Sequence, residues 1–422
     1  MKVLWLSSQP GQLDIPERRN SYNGGGWIGA LQGLLLDERE VKLGVAFPMS
    51  QPMERMEQRG VTYYPVHTPA PSALAKMRTY YGGYKHWKRE QHVEALRQVI
   101  AHFQPDVIHL FGIENPFANI LGRTEVPVVV HLQGFLAPYD NAFFPQGLNK
   151  SSFIWPPSMR EWVWRNGYIF AKKNMHVRGL QEIERFRDVR HTMGRTAWDY
   201  SVSRLLAPAS TYHVVNEVLR PVFYDHAGQW RHHEHKRTII VSTVSQTVYK
   251  GVDLILKAAK LLREHTEVDF EWRVIGVGAS SPYVRYFERT LGIRGADFGV
   301  RYLGIMGAEA LCAQLLEGDI YVHPSYIDNS PNSLCEAQLI GLPAIGTFVG
   351  GIPSLITHGE SGLLIPANAP FELAYHLQQI ATDTALAHRL SLGAAQAAAK
   401  RHDRRQIVRD LIATYKEACT PK

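Results

Sequence analysis

At 422 residues the chain exceeds what one compact core usually holds, and two or three domains are expected. Hydrophobic residues make up 45% and charged residues 20%, which excludes wholesale disorder. The formal net charge of +7 is concentrated: 159–204 holds ten Lys/Arg and five Asp/Glu.

The apolar start Met1-Lys2-Val3-Leu4-Trp5-Leu6 is cut short by Ser7 and Gln9, so no signal peptide is expected. No stretch approaches the roughly 20 apolar residues of a spanning helix. Cys312, Cys335 and Cys419 are too few for a disulfide framework and too dispersed for a zinc motif, and a reducing cytoplasm fits.

In chain order, 2–6, 43–47, 107–110 and 127–132 read as strands, with helical patterns at 28–36 and 92–103. Alternation of this kind predicts a parallel sheet covered on both faces. Asn23-Gly24-Gly25-Gly26 sits between the first strand and the first helix, where glycine lets backbone approach a ligand and a helix start favours anions. It is neither a GxGxxG fingerprint nor a P-loop. Trp155, Met159 and Trp162 share one helical face, with Trp164, Arg160 and Arg165 nearby. This face suits either a packed helix with a solvated basic side or contact with anionic lipid. The polar stretch 226–237 reads as an inter-domain connection, and its His232, His233 and His235 as linker residues rather than metal ligands.

The pattern restarts with strands at 238–244, 272–276, 300–303, 320–322 and 344–346 and helices at 252–262 and 308–316, and the tail 370–415 reads as helical throughout. Lys250-Gly251-Val252-Asp253 closes the loop after strand 238–244, where a lysine can neutralise phosphate. The run Asp328-Asn329-Ser330-Pro331-Asn332-Ser333-Leu334-Cys335-Glu336-Ala337 reads as a short helix with Ser330 as cap, Pro331 at the first position and Gly341-Leu342-Pro343 as its stop. Such a start offers N–H groups and partial positive charge to phosphate. Phe348-Val349-Gly350-Gly351-Ile352-Pro353 reads as a glycine turn.

Together these stretches resemble the GT-B-fold retaining glycosyltransferases of family 4. The resemblance covers nearly the whole chain and is most specific over 324–366. That part is similar to the family's acid-x7-Glu motif (Asp328 to Glu336), its glycine–proline strand, its GGIP turn and its HGxxGxL stretch at 358–364. Lys250-Gly251 resembles the family's Lys-Gly pair, and Asn216-Glu217 matches where its first domain closes. Four positions depart. Asp328 stands for the usual glutamate, Ser245 for a basic residue, Ser354 for an acid, and Gln133 for the catalytic-strand histidine, with His131 two residues earlier on the same strand face.

The resemblance implies two Rossmann-like domains facing a central cleft: 1–225 on the acceptor side, 237–398 for the nucleotide sugar, and a final helix, 399–422, packing back on the first. It implies roles as well. Lys250 and the helix start at Ser330, Asn332, Ser333 and Leu334 would hold the diphosphate. Glu336 would take ribose hydroxyls and Asp328 hydroxyls of the donor sugar. Gly25 and Gly26 would approach phosphate or acceptor, and His131 or Gln133 the transferred sugar. No DxD motif occurs, so a metal-free reaction is expected. The resemblance implies transfer from a UDP-sugar, in preference to GDP, with no cofactor, and the basic segment carries no nucleic-acid motif. The acceptor would be a hydroxyl, such as a lipid-linked saccharide of surface-polysaccharide assembly, met at the inner membrane face through 155–204. The rival readings are a sugar-nucleotide epimerase of the same fold and a non-catalytic basic surface-binding protein.

Overall fold

A computed structural model describes residues 1–14, 26–69, 72, 90–148, 168–233 and 237–420. Gly25 and the stripe Trp155, Met159, Trp162 and Trp164 lie outside the described residues. The chain divides into two compact units. One comprises Met1–Asn141, Phe170–Val218 and His402–Lys422; the other Ala142–Ile169 and Leu219–Arg401.

The first unit is built on an eight-stranded sheet. Its strands are β1 (Lys2–Leu6), β2 (Lys42–Met49), β3 (Met56–Gln58), β4 (Val61–His67), β5 (Val107–Phe111), β6 (Val128–His131), β7 (His191–Gly194) and β8 (Thr211–Val214). They lie in the order β3-β4-β2-β1-β5-β6-β7-β8. All neighbours are parallel except β3 and β4. Val3, Leu4, Trp5 and Leu6 are all buried, as expected of a central strand covered on both faces. The final helix, Arg404–Ala418, starts behind Asp403, whose carboxylate accepts the Gln406 N–H at 2.8 Å. It buries Tyr415, whose hydroxyl accepts from the Trp5 indole at 3.2 Å.

The second unit carries β9 (Thr238–Thr243), β10 (Phe270–Ile275), β11 (Val300–Gly304), β12 (Ile320–His323), β13 (Ala344–Thr347) and β14 (Leu363–Ile365). All pairs are parallel, in the order β11-β10-β9-β12-β13-β14. That is the doubly wound order, which reverses between β9 and β12.

Four expectations change. The tail is not one continuous helical run: it breaks at Asp383 and again at His402-Asp403 into Pro370–Thr382, Thr384–Arg401 and Arg404–Ala418. Residues 219–225 belong to the second unit, because the helix Pro221–Asp225 packs on the helices Ala308–Leu316 and Asn332–Ile340. The stretch after it is anchored too. Trp230 is buried, its indole N–H donating to the Gly318 carbonyl at 2.7 Å. Finally, the basic segment turns part of its charge inward: Arg185 bonds the Ile113 carbonyl and Asn119, and Arg195 lies 3.4 Å from Glu217.

Candidate functional site

Where a doubly wound sheet reverses, the chain leaves neighbouring strands in opposite directions and opens a crevice beyond their carboxyl ends. In the second unit that point lies beyond β9 and β12. The chain leaves β9 into a single turn, Val248–Lys250, and leaves β12 into the loop 324–331. The two segments meet backbone to backbone. The Tyr326 N–H donates to the Tyr249 carbonyl at 2.8 Å. Gly251 has φ +77°, and a Cβ there would fall 2.1 Å from the Pro324 carbonyl oxygen, so only glycine fits.

This contact sets Lys250 opposite Asp328. The ammonium donates to Asp328 Oδ2 at 2.5 Å, and His323 Nε2, at the end of β12, lies 3.0 Å from the same oxygen. Burial pushes the Asp328 carboxyl up, but the Lys250 charge and the His323 hydrogen bond outweigh it and hold the group well below the usual carboxylate range. Burial depresses His323 most, against the pull of Asp328, and the net shift is downward, leaving a neutral imidazole. An ionised carboxylate only accepts, so the single imidazole proton sits on Nε2.

Asp328 is also held by its backbone. Its carbonyl accepts the Gly351 N–H at 2.9 Å, and a Cβ on Gly350 (φ +51°) would lie 1.9 Å from that oxygen. Gly350→Ala is expected to lower unfolding free energy by roughly 2 kcal/mol or more, read by urea denaturation.

The helix after Asp328 begins one residue later than its sequence suggests. Pro331 is the cap residue and Asn332 the first helical residue, so Ser330 precedes the cap position. The Ser330 hydroxyl instead lies 3.8 Å from the Cys335 sulfur. The Leu334 side chain is buried, and its N–H bonds the Pro331 carbonyl at 3.0 Å. Asn332 and Ser333 carry the N–H groups that have no carbonyl earlier in the helix. The Ser333 hydroxyl accepts from Tyr321 at 2.9 Å, and the Tyr321 oxygen lies 2.7 Å from the Thr243 hydroxyl. Gly341, at φ +91°, ends the helix in the left-handed conformation.

Glu336 lies on this helix, 1% exposed, with both carboxylate oxygens on one partner. Arg220 Nε donates to Oε1 and Nη2 to Oε2, each at 2.7 Å. Burial raises the Glu336 carboxyl, and the Arg220 hydrogen bonds and charge oppose it.

In the first unit, Gly26 opens the helix Gly26–Leu36. His131 ends β6 and is fully buried. A chain of hydrogen bonds reaches it from the final helix. The Trp5 indole donates to the Tyr415 hydroxyl, which lies 2.6 Å from His109 Nδ1, and His109 Nε2 lies 3.1 Å from His131 Nδ1. Gln133 is half-buried, and its amide reaches back to the His131 carbonyl at 3.4 Å.

Burial depresses both histidines, His131 to about 3 with the Arg195 charge adding to the effect, and His109 well below its ordinary value near 6.5. Above that ordinary value both rings are neutral in the folded and unfolded chain alike. Between pH 6.5 and about 3 the unfolded chain takes up protons that the folded chain refuses. The melting temperature is therefore expected to fall as pH drops from 7 to 5, and less so in His109→Gln.

Three polar neighbours escape sequence reading. His323 lies five residues before Asp328, a spacing with no helical meaning at the end of a strand. Tyr321 looks like core, and its hydroxyl contact appears only once β9 and β12 pair. Arg220 stands 116 positions from Glu336, beyond any local pattern.

Comparison with known proteins agrees with this architecture. Residues 35–220 match the glycosyl transferase 4-like domain and 235–383 the glycosyl transferases group 1 family. The putative colanic acid biosynthesis glycosyltransferase WcaL of Escherichia coli is 29% identical over 153 residues, 34% of this chain and 37% of that protein. The chain thus matches about a third of that relative's length. Sucrose-phosphate synthase of Thermosynechococcus elongatus superposes with a TM-score of 0.70 over 99% of this chain and 98% of its own, at 15% identity. HepE of Anabaena, solved with UDP-glucose, gives 0.64 over 99% and 100%, also at 15%. The strand order, the two matched domains and these neighbours agree: the chain has the GT-B fold and belongs to the glycosyl transferases group 1 family, family 4-like.

Proposed function

We propose that this chain moves a hexose-type sugar from a UDP-sugar to a hydroxyl acceptor with retention of configuration and without a metal ion. The observation that carries the reading is the convergence of Lys250, Asp328 and His323 at the β9/β12 reversal, next to the start of the helix Asn332–Ile340. Cleaving a glycosyl–phosphate bond builds negative charge on the departing diphosphate. The Lys250 ammonium and the N–H groups of Asn332 and Ser333 take up that charge from fixed positions, where preorganisation is most effective. The low-lying carboxyl of Asp328 stays an acceptor across the working pH range and receives hydroxyls of the donor sugar. Glu336 receives ribose. By the family resemblance, His131 or Gln133 is assigned to the transferred sugar and Gly25 and Gly26 to phosphate or acceptor.

UDP is preferred because HepE, of the same fold, was solved with UDP-glucose. The name of WcaL, a putative colanic acid biosynthesis glycosyltransferase, supports an acceptor in polysaccharide assembly. We propose in addition that this acceptor is a lipid-linked saccharide met at a membrane face through 155–204. Among the described residues no helix is long and apolar enough to cross a membrane.

A thermal-shift screen of UDP, GDP and ADP with EDTA present tests the reading. UDP at 100 times its Kd should stabilise by about 2.7 kcal/mol. Equal shifts for all three, or a UDP shift that requires manganese, would count against it.

A further inference from the structure

We propose that the outer face of the helix Pro370–Thr382 is a saccharide-binding platform, a second sugar site apart from the donor loops, with Phe371 and Tyr375 as its stacking rings. The class of ligand rests on the reading of the acceptor as a saccharide; the site itself does not depend on how the donor is held. The helix turns Leu373, Ala374, Leu377 and Ile380 inward. Its other face carries Phe371, 74% exposed, and Tyr375, 56% exposed. Residues four apart on a helix stand about 6 Å from one another at Cβ, so one ligand can cover both rings. The polar rim of the pair is already arranged. The Gln379 amide donates to the Tyr375 hydroxyl at 3.0 Å, and Gln379 Oε1 lies 2.8 Å from His376 Nδ1. Tyr375 has no other hydrogen-bond partner among the described residues, which leaves its own proton for a ligand.

An aromatic ring has a negative face, and the C–H bonds on one face of a pyranose carry partial positive charge. Sugars therefore stack on exposed rings while their hydroxyls bond polar groups at the ring edge. The other occupants of an exposed aromatic face fit less well. The helix carries Glu372 and no lysine or arginine, so nothing on it draws an anionic lipid or a polyphosphate. Two aromatic side chains bury at most about 500 Å², short of the roughly 800 Å² per partner in a stable protein interface. The platform is fixed to the donor-side loops. Asn368, ahead of the helix, accepts from the Lys257 ammonium and the Tyr326 hydroxyl, each at 3.2 Å. Tyr326 in turn bonds the Tyr249 carbonyl, next to Lys250. A saccharide chain seated on Phe371 and Tyr375 is thereby held on the unit that carries Lys250.

The test is native affinity electrophoresis through gels containing dextran, galactan or mannan, with wild type, Phe371→Ala, Tyr375→Phe and the double variant Phe371→Ala/Tyr375→Ala. At least one of these polysaccharides should retard wild type, and the double variant should bind it at least about tenfold more weakly, because both stacking faces are gone. Tyr375→Phe keeps the ring and loses the hydroxyl, and should fall between the two. The UDP thermal shift of the double variant should match wild type, since neither ring belongs to the donor loops. Retardation of wild type by none of the polysaccharides would overturn the proposal, as would retardation kept in the double variant. So would a double variant with an altered oligomeric state in sedimentation, which would make the face a contact between copies. If the double variant does not fold, Phe371→Ala decides alone: weaker retardation supports the platform and unchanged retardation removes it. A UDP shift without retardation removes the platform and leaves the donor reading standing; retardation without a UDP shift does the reverse.

Discussion

Replacing Lys250 by alanine is expected to lower turnover by about 10²–10³-fold, the usual cost of removing one preorganised donor from a developing anion. The fold should survive, because the ammonium sits at the mouth of the site, 20% exposed. The variant should also raise the Asp328 carboxyl, since the Lys250 charge is the largest of the influences that lower it. Sign follows from this: with the folded-state value moved upward, the stability that ionised Asp328 contributes is lost at a higher pH on acidification than in wild type. Lys250→Ala should therefore show both a turnover defect at neutral pH and an acid limb shifted upward. Steady-state kinetics from pH 5 to 8 reads both. Wild-type turnover in Lys250→Ala would remove this residue from the reaction.

Glu336→Ala is expected to abolish UDP binding and to destabilise the second unit. The sequence shows only an acid within a short helix, from which a clean functional knock-out with an intact fold would follow. The structure changes that expectation. Glu336 neutralises Arg220 inside the protein, and removing one partner of a buried pair typically costs about 3–5 kcal/mol because the other is left uncompensated. Urea unfolding of Glu336→Ala should show that loss. Glu336→Gln keeps hydrogen-bonding capacity and should lose less stability while still losing affinity. Native-like stability in Glu336→Ala would mean that the clasp by Arg220 contributes little.

Much of the architecture is legible in the sequence because its signals are local. Central parallel strands such as Lys2–Leu6 are continuous apolar runs, and Gly251, Gly341 and Gly350 mark places where left-handed backbone is required. The edge of the first sheet is not legible. β7 reads His191-Thr192-Met193-Gly194 and β8 reads Thr211-Tyr212-His213-Val214, polar runs that become strands because their neighbours pair with them. His191 and His213 even bond each other across that edge at 3.2 Å. The helix starts one residue later than the Ser330-Pro331 pattern predicts. At the site, the acid and the lysine are legible as types at a spacing, but their partners are not. His323, Tyr321 and Arg220 reach Asp328, Ser333 and Glu336 only through strand pairing and helix packing. Tertiary contact, not sequence neighbourhood, decides which oxygen each acid has left to offer.

The most direct measurement is a crystal structure of the protein grown with UDP in the presence of EDTA. The diphosphate should lie within hydrogen-bonding distance of the Lys250 ammonium and the Ser333 N–H, with no ion between. Phosphates resting elsewhere, or bound only when manganese is supplied, would contradict the account.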